Sequence, residues 1–188
     1  MSKCWNTISF TIKESFKEII KNITSVSFDI ASCPEFLREG SAVWDSLHPS
    51  RIVIGTETKK ARDLLLKLHQ PIKTPRVICN LSSAQLIKYA ANAFLATKIS
   101  FINSIAIICD KVGADILKVQ EGLGLDSRIG KSFLQAGLGY GGSCFPKDTQ
   151  ALIAFAKRQN YDFDFLKQVD RINKEQINYL VSKLEKVL

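Results

Sequence analysis

Histidine is scarce in this chain of 188 residues, with only His48 and His69. The five cysteines, Cys4, Cys33, Cys79, Cys109 and Cys144, stand at wide and irregular intervals with no Cys-x-x-Cys pair. That count and spacing argue against a zinc site or a disulfide framework and suit a reducing compartment; no metal ligand set is expected. The N-terminus, MSKCWNTISFTIKESFK, has neither a long apolar core nor a small-residue cleavage site, so it does not read as a signal peptide. No charge-free apolar run reaches membrane-spanning length, and no membrane partner is expected. Nor is there a block of like charge: the formal net charge is +8, but the 26 Lys and Arg are scattered. With no aromatic-basic RNA signature or paired-cysteine finger, that charge fits an anionic small molecule or solubility better than a nucleic-acid groove. A soluble cytoplasmic chain is the expectation.

What is present is 46% hydrophobic residues, enough for one substantial core or two small ones. Helical spacing marks residues 12–22, with Ile12, Phe16, Ile19 and Ile20 on one stripe. Val26 to Ala31 alternates like a short strand; Arg51 to Gly55 (RIVIG) and Arg76 to Cys79 are two further candidates, with helix spacing from Thr58 to Leu68 between them. Strands alternating with helices predict part of a parallel α/β sheet. After Leu81 the texture changes. Ser82 and Ser83 are good helix caps, and the run to about Lys111 has no proline or glycine. Its apolar residues wrap most of the helix, which predicts burial in a core or against a partner chain. Gly113 is a stop signal, Asp115 to Glu121 starts another helix, Asp126 to Gly142 reads as loop, and Lys147–Gln159 and Phe163–Leu188 close the chain as helices. The expected domains are 1–80, a piece of α/β sheet, and 81–188, all helical.

Three constellations carry chemistry. The stretch GYGGSCFPKD (139–148) sets Cys144 between glycines and a helix start marked by Pro146. Unpaired amides there, with Lys147, favour a nucleophilic thiolate, although a buried structural cysteine beside a turn fits the same spacing. Lys88 and Asn92 share a face of the apolar helix; the lysine is either at work or snorkelling to solvent. Glu35 and Glu39, in PEFLREG after the first candidate strand, are placed to present carboxylates to a site, or to sit in a solvated first helical turn.

In order along the chain, PEFLREGSAVWDSLHPSRIVIG (34–55), AQLIKYAANAFLATKISFIN (84–103) and DSRIGKSFLQAGLGYGGSCFPKDT (126–149) resemble the UDP-glucose and GDP-mannose dehydrogenases, most of all the UDP-glucose branch. The resemblance implies the C-terminal part of an NAD-binding Rossmann-like domain (1–80), followed by a central helical dimerisation and catalytic domain (81–188). It implies NAD-dependent double oxidation of the C6 alcohol of UDP-glucose, or of a related nucleotide-sugar, to a carboxylate. Cys144 would be the nucleophile, passing through a thiohemiacetal and a thioester. Lys88 and Asn92 would steady negative charge at the C6 oxygen, Asp148 would orient the water, and Glu35 would transfer protons. Substrate contacts would come from Phe36, Leu37, Arg38, Glu39, Phe133, Gln135, Gly137, Tyr140 and Gly141, and from Arg128 reaching toward the neighbouring subunit. Cys144 and Lys147 would touch NAD, and the helix around 84–110 would pair in a homodimer. The family's Gly-x-Gly-x-x-Gly fingerprint and its second Rossmann-like domain have no counterpart here. A truncated enzyme is therefore expected, with weak NAD binding of its own; the alternative is a non-catalytic dimerisation module.

Overall fold

The computed structural model describes residues 12–186 and 188, with side chains from residue 17 onward. Cys4 and the side chains of Ile12 and Phe16 lie outside the described residues. Two compact units divide between Lys88 and Tyr89, inside one helix.

The first unit runs through α1 (Ile12–Ile23), β1 (Ala31–Ser32), α2 (Ala42–Leu47), β2 (Ile52–Thr56), α3 (Lys59–Leu68) and β3 (Arg76–Cys79). β2 is the centre of a three-stranded sheet of order β1-β2-β3. Its Ile52, Val53 and Ile54 are all buried, as the β-branched run predicts for a strand covered on both faces. β3 lies parallel to β2, Ile52 facing Arg76 and Gly55 facing Cys79. Between them Thr58 caps α3, its Oγ1 accepting the Ala61 N–H at 3.3 Å.

β1 differs from expectation. Only Ala31 and Ser32 pair, antiparallel to Thr56 and Gly55, and Val26 to Ile30 form no strand. β2 ends at Thr56, opposite Ala31, so the residues before Ala31 have no ladder to join; Pro34 follows on the other side, without an N–H to extend the pairing. The sheet is therefore mixed rather than parallel throughout.

The long helix α4 (Leu81–Val112) begins in this unit. Its cap is Asn80, whose Oδ1 accepts the Ser83 N–H at 2.8 Å, rather than Ser82 or Ser83 themselves. Gly55 lets the first turn cross β2 closely: a Cβ there would meet the Ala84 Cβ at 2.4 Å and the Asn80 carbonyl oxygen at 2.9 Å.

From Tyr89 onward α4 shares a unit with α5 (Ile116–Leu125), α6 (Cys144–Arg158) and α7 (Asp164–Leu184). The core of this second unit includes Ala96, Ile102, Leu134, Leu152, Leu166 and Val169. Gly113 (φ +70°) ends α4, and the Ala114 N–H returns to the Cys109 carbonyl. Asp115 caps α5, accepting the Leu117 N–H at 2.8 Å. Residues 126–143 form no helix or strand, as the glycines predict.

Among the described residues α4 alone is long and apolar enough to cross a membrane. Its polar residues argue for a core helix instead. Lys98 donates to the Ile129 carbonyl at 3.0 Å, Ser100 to the Val169 carbonyl at 3.0 Å, and Asn103 accepts the Gly137 N–H at 2.8 Å. Nor is α4 covered all round, as its composition predicts: Phe94, Phe101 and Ile108, spaced by seven, remain exposed.

Candidate active site

In the first unit, the chain leaves β1 through Pro34 and sets Glu35 against α4. Glu35 Oε2 accepts the Leu37 N–H at 2.7 Å, which fixes the carboxylate, and Oε1 accepts from Lys88 Nζ at 2.9 Å. The Lys88 side chain is only 17% exposed, so it is paired rather than snorkelling freely to solvent. The Phe36 ring lies 5.5 Å from Lys88 Nζ, and the Arg51 guanidinium stacks on that ring at 3.8 Å. Arg38 is engaged elsewhere. Its Nη2 and Nε donate to Asp45 at 2.6 and 3.0 Å, and Asp45 also receives the Arg38 N–H and the Ser41 hydroxyl. Those bonds, the Arg38 side chain first, hold the Asp45 carboxyl well below the usual carboxylate range. They close the PEFLREG turn, with Gly40 at φ +84° at its tip and Leu37 and Glu39 exposed to solvent.

In the second unit, Asp148 is the organising group. It is 2% exposed, and its carboxylate accepts from Asn92 Nδ2 at 2.6 Å and from Lys147 Nζ at 2.5 Å. The bond to Asp148 raises Lys147 above the ordinary lysine value. Cys144 is the first residue of α6 rather than the residue ahead of it, and it is exposed, which removes the buried-structural-cysteine alternative. Ser143 makes no side-chain cap, so the first-turn amides are not occupied by a capping group. Its hydroxyl lies 3.7 Å from Cys144 Sγ. An accessible thiol at a helix N-terminus, with a fixed buried carboxylate one turn on, is equipped for nucleophilic addition and for handling a water.

The loop before α6 bends at Gly130, Gly139 and Gly142, all at positive φ, and also at Phe133 (φ +63°), where a bulky residue in that region carries strain. Phe145 packs edge-on to both Phe133 and Tyr140, with ring centroids 6.0 and 5.9 Å away. A cavity of about 310 Å³ is lined by Ile99, Phe133, Gln135 and Gly139. Gly137 and Gly141 have open space where a side chain would project. The buried Tyr140 hydroxyl is pushed up to about 12 by burial, with the Asp170 charge adding to the shift. Arg128 is exposed, its guanidinium held by Asp126 at 2.6 Å.

Glu35 is thus joined to Lys88 in one unit, and Asn92, Asp148 and Lys147 are joined beside Cys144 in the other. Arg51 and Asp45, which hold the glutamate turn, carried no signal beyond being charges near an apolar strand. Asn103, Asn173 and Gln176, which hold the glycine loop, went unnoticed too; Asn103 was visible as an amide inside the apolar run FINSIAII.

The NAD-binding domain of the UDP-glucose/GDP-mannose dehydrogenase family matches residues 5–73, and the family's central domain matches residues 82–175. The UDP-glucose 6-dehydrogenase TuaD of Bacillus subtilis is 56% identical over 162 residues, 86% of this chain and 35% of that protein. The UDP-glucose 6-dehydrogenase of Rickettsia bellii is 46% identical over 190 residues, covering 100% of this chain and 42% of its own length. A UDP-glucose dehydrogenase structure from Pyrobaculum islandicum superposes with a TM-score of 0.88 at 42% identity, over 91% of this chain and 40% of that one. The chain therefore spans about two fifths of the length of the relatives it matches.

Proposed function

Because the chain belongs to the UDP-glucose/GDP-mannose dehydrogenase family, we propose that it carries the substrate-side chemistry of NAD-dependent oxidation of UDP-glucose to UDP-glucuronate. The observation that carries this reading is the exposed Cys144 at the head of α6, with the buried Asn92–Asp148 pair and the exposed Lys147 bonded to it. In this reading Cys144 Sγ adds to the C6 aldehyde of the half-oxidised sugar, and the carbonyl oxygen takes up a proton to give a thiohemiacetal. Asn92 and Lys88 steady the developing oxyanion. Loss of a hydride and of the hydroxyl proton gives a thioester, and water positioned by Asp148 releases the carboxylate and the thiol. Glu35, bonded to Lys88, relays protons. The PEFLREG turn and residues 133–141 hold the nucleotide-sugar, and Arg128 reaches the substrate of a neighbouring subunit.

NAD is the hydride acceptor of this chemistry. Cys144 and Lys147, both exposed, fit an edge contact to it. Its pyrophosphate needs a glycine turn after a strand. In the described sheet β2 passes into α3 through Glu57 and Thr58, which supply no glycine. On this reading residues 1–80 go with the family's NAD-binding domain, and 81–188 with its central helical domain. The cytoplasm is the proposed setting, with neither nucleic acid nor membrane as a partner.

NADH formation by the folded chain with NAD+ and UDP-glucose tests the reading. Turnover that disappears in Cys144→Ala supports it; no turnover from the folded chain counts against a self-sufficient site. The exposed Phe94, Phe101 and Ile108 favour a second reading, a dimerisation module pairing through α4, in which Cys144→Ala changes nothing measurable.

A further inference from the structure

We propose that Asn173, assisted by Asn103 and Gln176, is a positioning residue that fixes the backbone of the glycine loop for nucleotide-sugar binding. The binding role rests on the reading of residues 135–141 given above; the clamp itself rests on geometry within the second unit. Asn173 uses both ends of its amide on one residue. Its Oδ1 accepts the Tyr140 N–H at 2.7 Å, and its Nδ2 donates to the Tyr140 carbonyl at 2.9 Å. Three residues earlier, the Gly137 N–H goes to Asn103 Oδ1 and the Gly137 carbonyl accepts from Gln176 Nε2, each at 2.8 Å. Three side chains from α4 and α7 thus satisfy all four backbone polar groups of two loop residues, as a neighbouring strand would.

Gly139 shows how closely the clamp is fitted. It has φ +99°, and a Cβ there would lie 2.5 Å from Asn173 Oδ1. Gly139 also lines the 310 Å³ cavity with Ile99, Phe133 and Gln135, so the clamp fixes one wall of that cavity. The amides are an unfavourable choice for packing alone. Asn103 and Gln176 are buried, and Asn103 Nδ2 and Gln176 Oε1 have no hydrogen-bond partner. Apolar side chains would join the helices without that desolvation penalty. What the amides provide is a defined loop backbone.

Amide hydrogen exchange in the chain and in Asn173→Ala, Asn173→Asp and Gly139→Ala tests the clamp. In Asn173→Ala the Tyr140 amide should exchange about tenfold faster, the factor a typical net hydrogen bond is worth, while amides within α6 keep their protection. Asn173→Asp retains the acceptor and should keep the Tyr140 amide protected. Gly139→Ala should disturb the loop less when Asn173→Ala removes the clash. Unchanged Tyr140 exchange in Asn173→Ala, uniform loss of protection across the unit in both Asn173 variants, or additive Gly139 and Asn173 effects would each overturn the clamp. UDP-glucose titration separates the two levels. Where the parent binds, Asn173→Ala should weaken affinity about tenfold, and equal affinity overturns the binding role. A parent that does not bind UDP-glucose refutes the nucleotide-sugar reading, while the exchange data still decide the clamp.

Discussion

Replacing Asn92 by alanine is the sharpest test of how Asp148 is held. The Asp148 carboxylate is 2% exposed and has two donors, Asn92 Nδ2 at 2.6 Å and Lys147 Nζ at 2.5 Å. The Lys147 side chain is 64% exposed, so most of its interaction is shared with water, whereas Asn92 is itself buried. Asn92→Ala leaves one carboxylate oxygen buried without a donor. Hydrogen bonds to charged groups contribute about 1.5–3 kcal/mol, and removing one partner exposes the desolvation cost of the other. For a chain of this length that is a fall in Tm of roughly 3–12 °C. Urea denaturation of Asn92→Ala, Asp148→Ala and the double variant forms a cycle. The double variant should cost less than the sum of the singles by about 1.5 kcal/mol or more. Asn92→Asp supplies the electrostatic control. It sets two carboxylates in contact, so its deficit should be larger at neutral pH and narrow on acidification, once one of the pair takes up a proton and donates. Additivity within about 0.5 kcal/mol in the cycle would refute the claim that Asn92 carries Asp148.

Two further outcomes follow from other parts of the chain. Asp45 is held in its ionised form by Arg38 and Ser41, so its folded pKa lies below the unfolded one. Its contribution is complete above about pH 4 and is lost as pH falls through the lowered folded value. Urea midpoints of the parent and Asp45→Asn should therefore differ most at neutral pH and converge in acid; a constant gap would show that the carboxylate charge plays no part. On the reading that α4 pairs with a second copy, the parent should sediment as a dimer and Phe101→Glu as a monomer, with the monomer's stability altered by less than about 0.5 kcal/mol. Identical sedimentation of parent and variant would remove α4 as the pairing surface.

Features set by local chemistry were legible in the sequence. RIVIG became β2, α3 and α5 begin at the expected Thr58 and Asp115, and Gly113 ended α4, because each depends on residues within a turn or two. The expected strand at 26–31 failed for a non-local reason: its length is set by where β2 ends, 25 residues later, with Ala31 facing Thr56. Cys144, Lys88 and Asn92 stand out as residue types at telling spacings and Asp148 through the family resemblance, but only the fold shows Lys88 paired to Glu35 and Asn92 to Asp148. Arg38 is bonded to Asp45, seven residues on, a pairing which the spacing does not reveal.

The polar residues of α4 suggest how more of the site was readable. In a helix this apolar, a buried amide or hydroxyl without a partner costs about 1–3 kcal/mol, so each one implies a bonded group elsewhere in the fold. Asn92 holds Asp148, Ser100 holds the Val169 carbonyl, and Asn103 holds the Gly137 N–H. Asp148 lies in the stretch 139–148 that the sequence marks for chemistry, and Gly137 stands two residues before it. The apolar helix therefore acts as the template for the glycine loop and the carboxylate. Its few polar residues show where that template is used, and Asn173 completes the hold from α7.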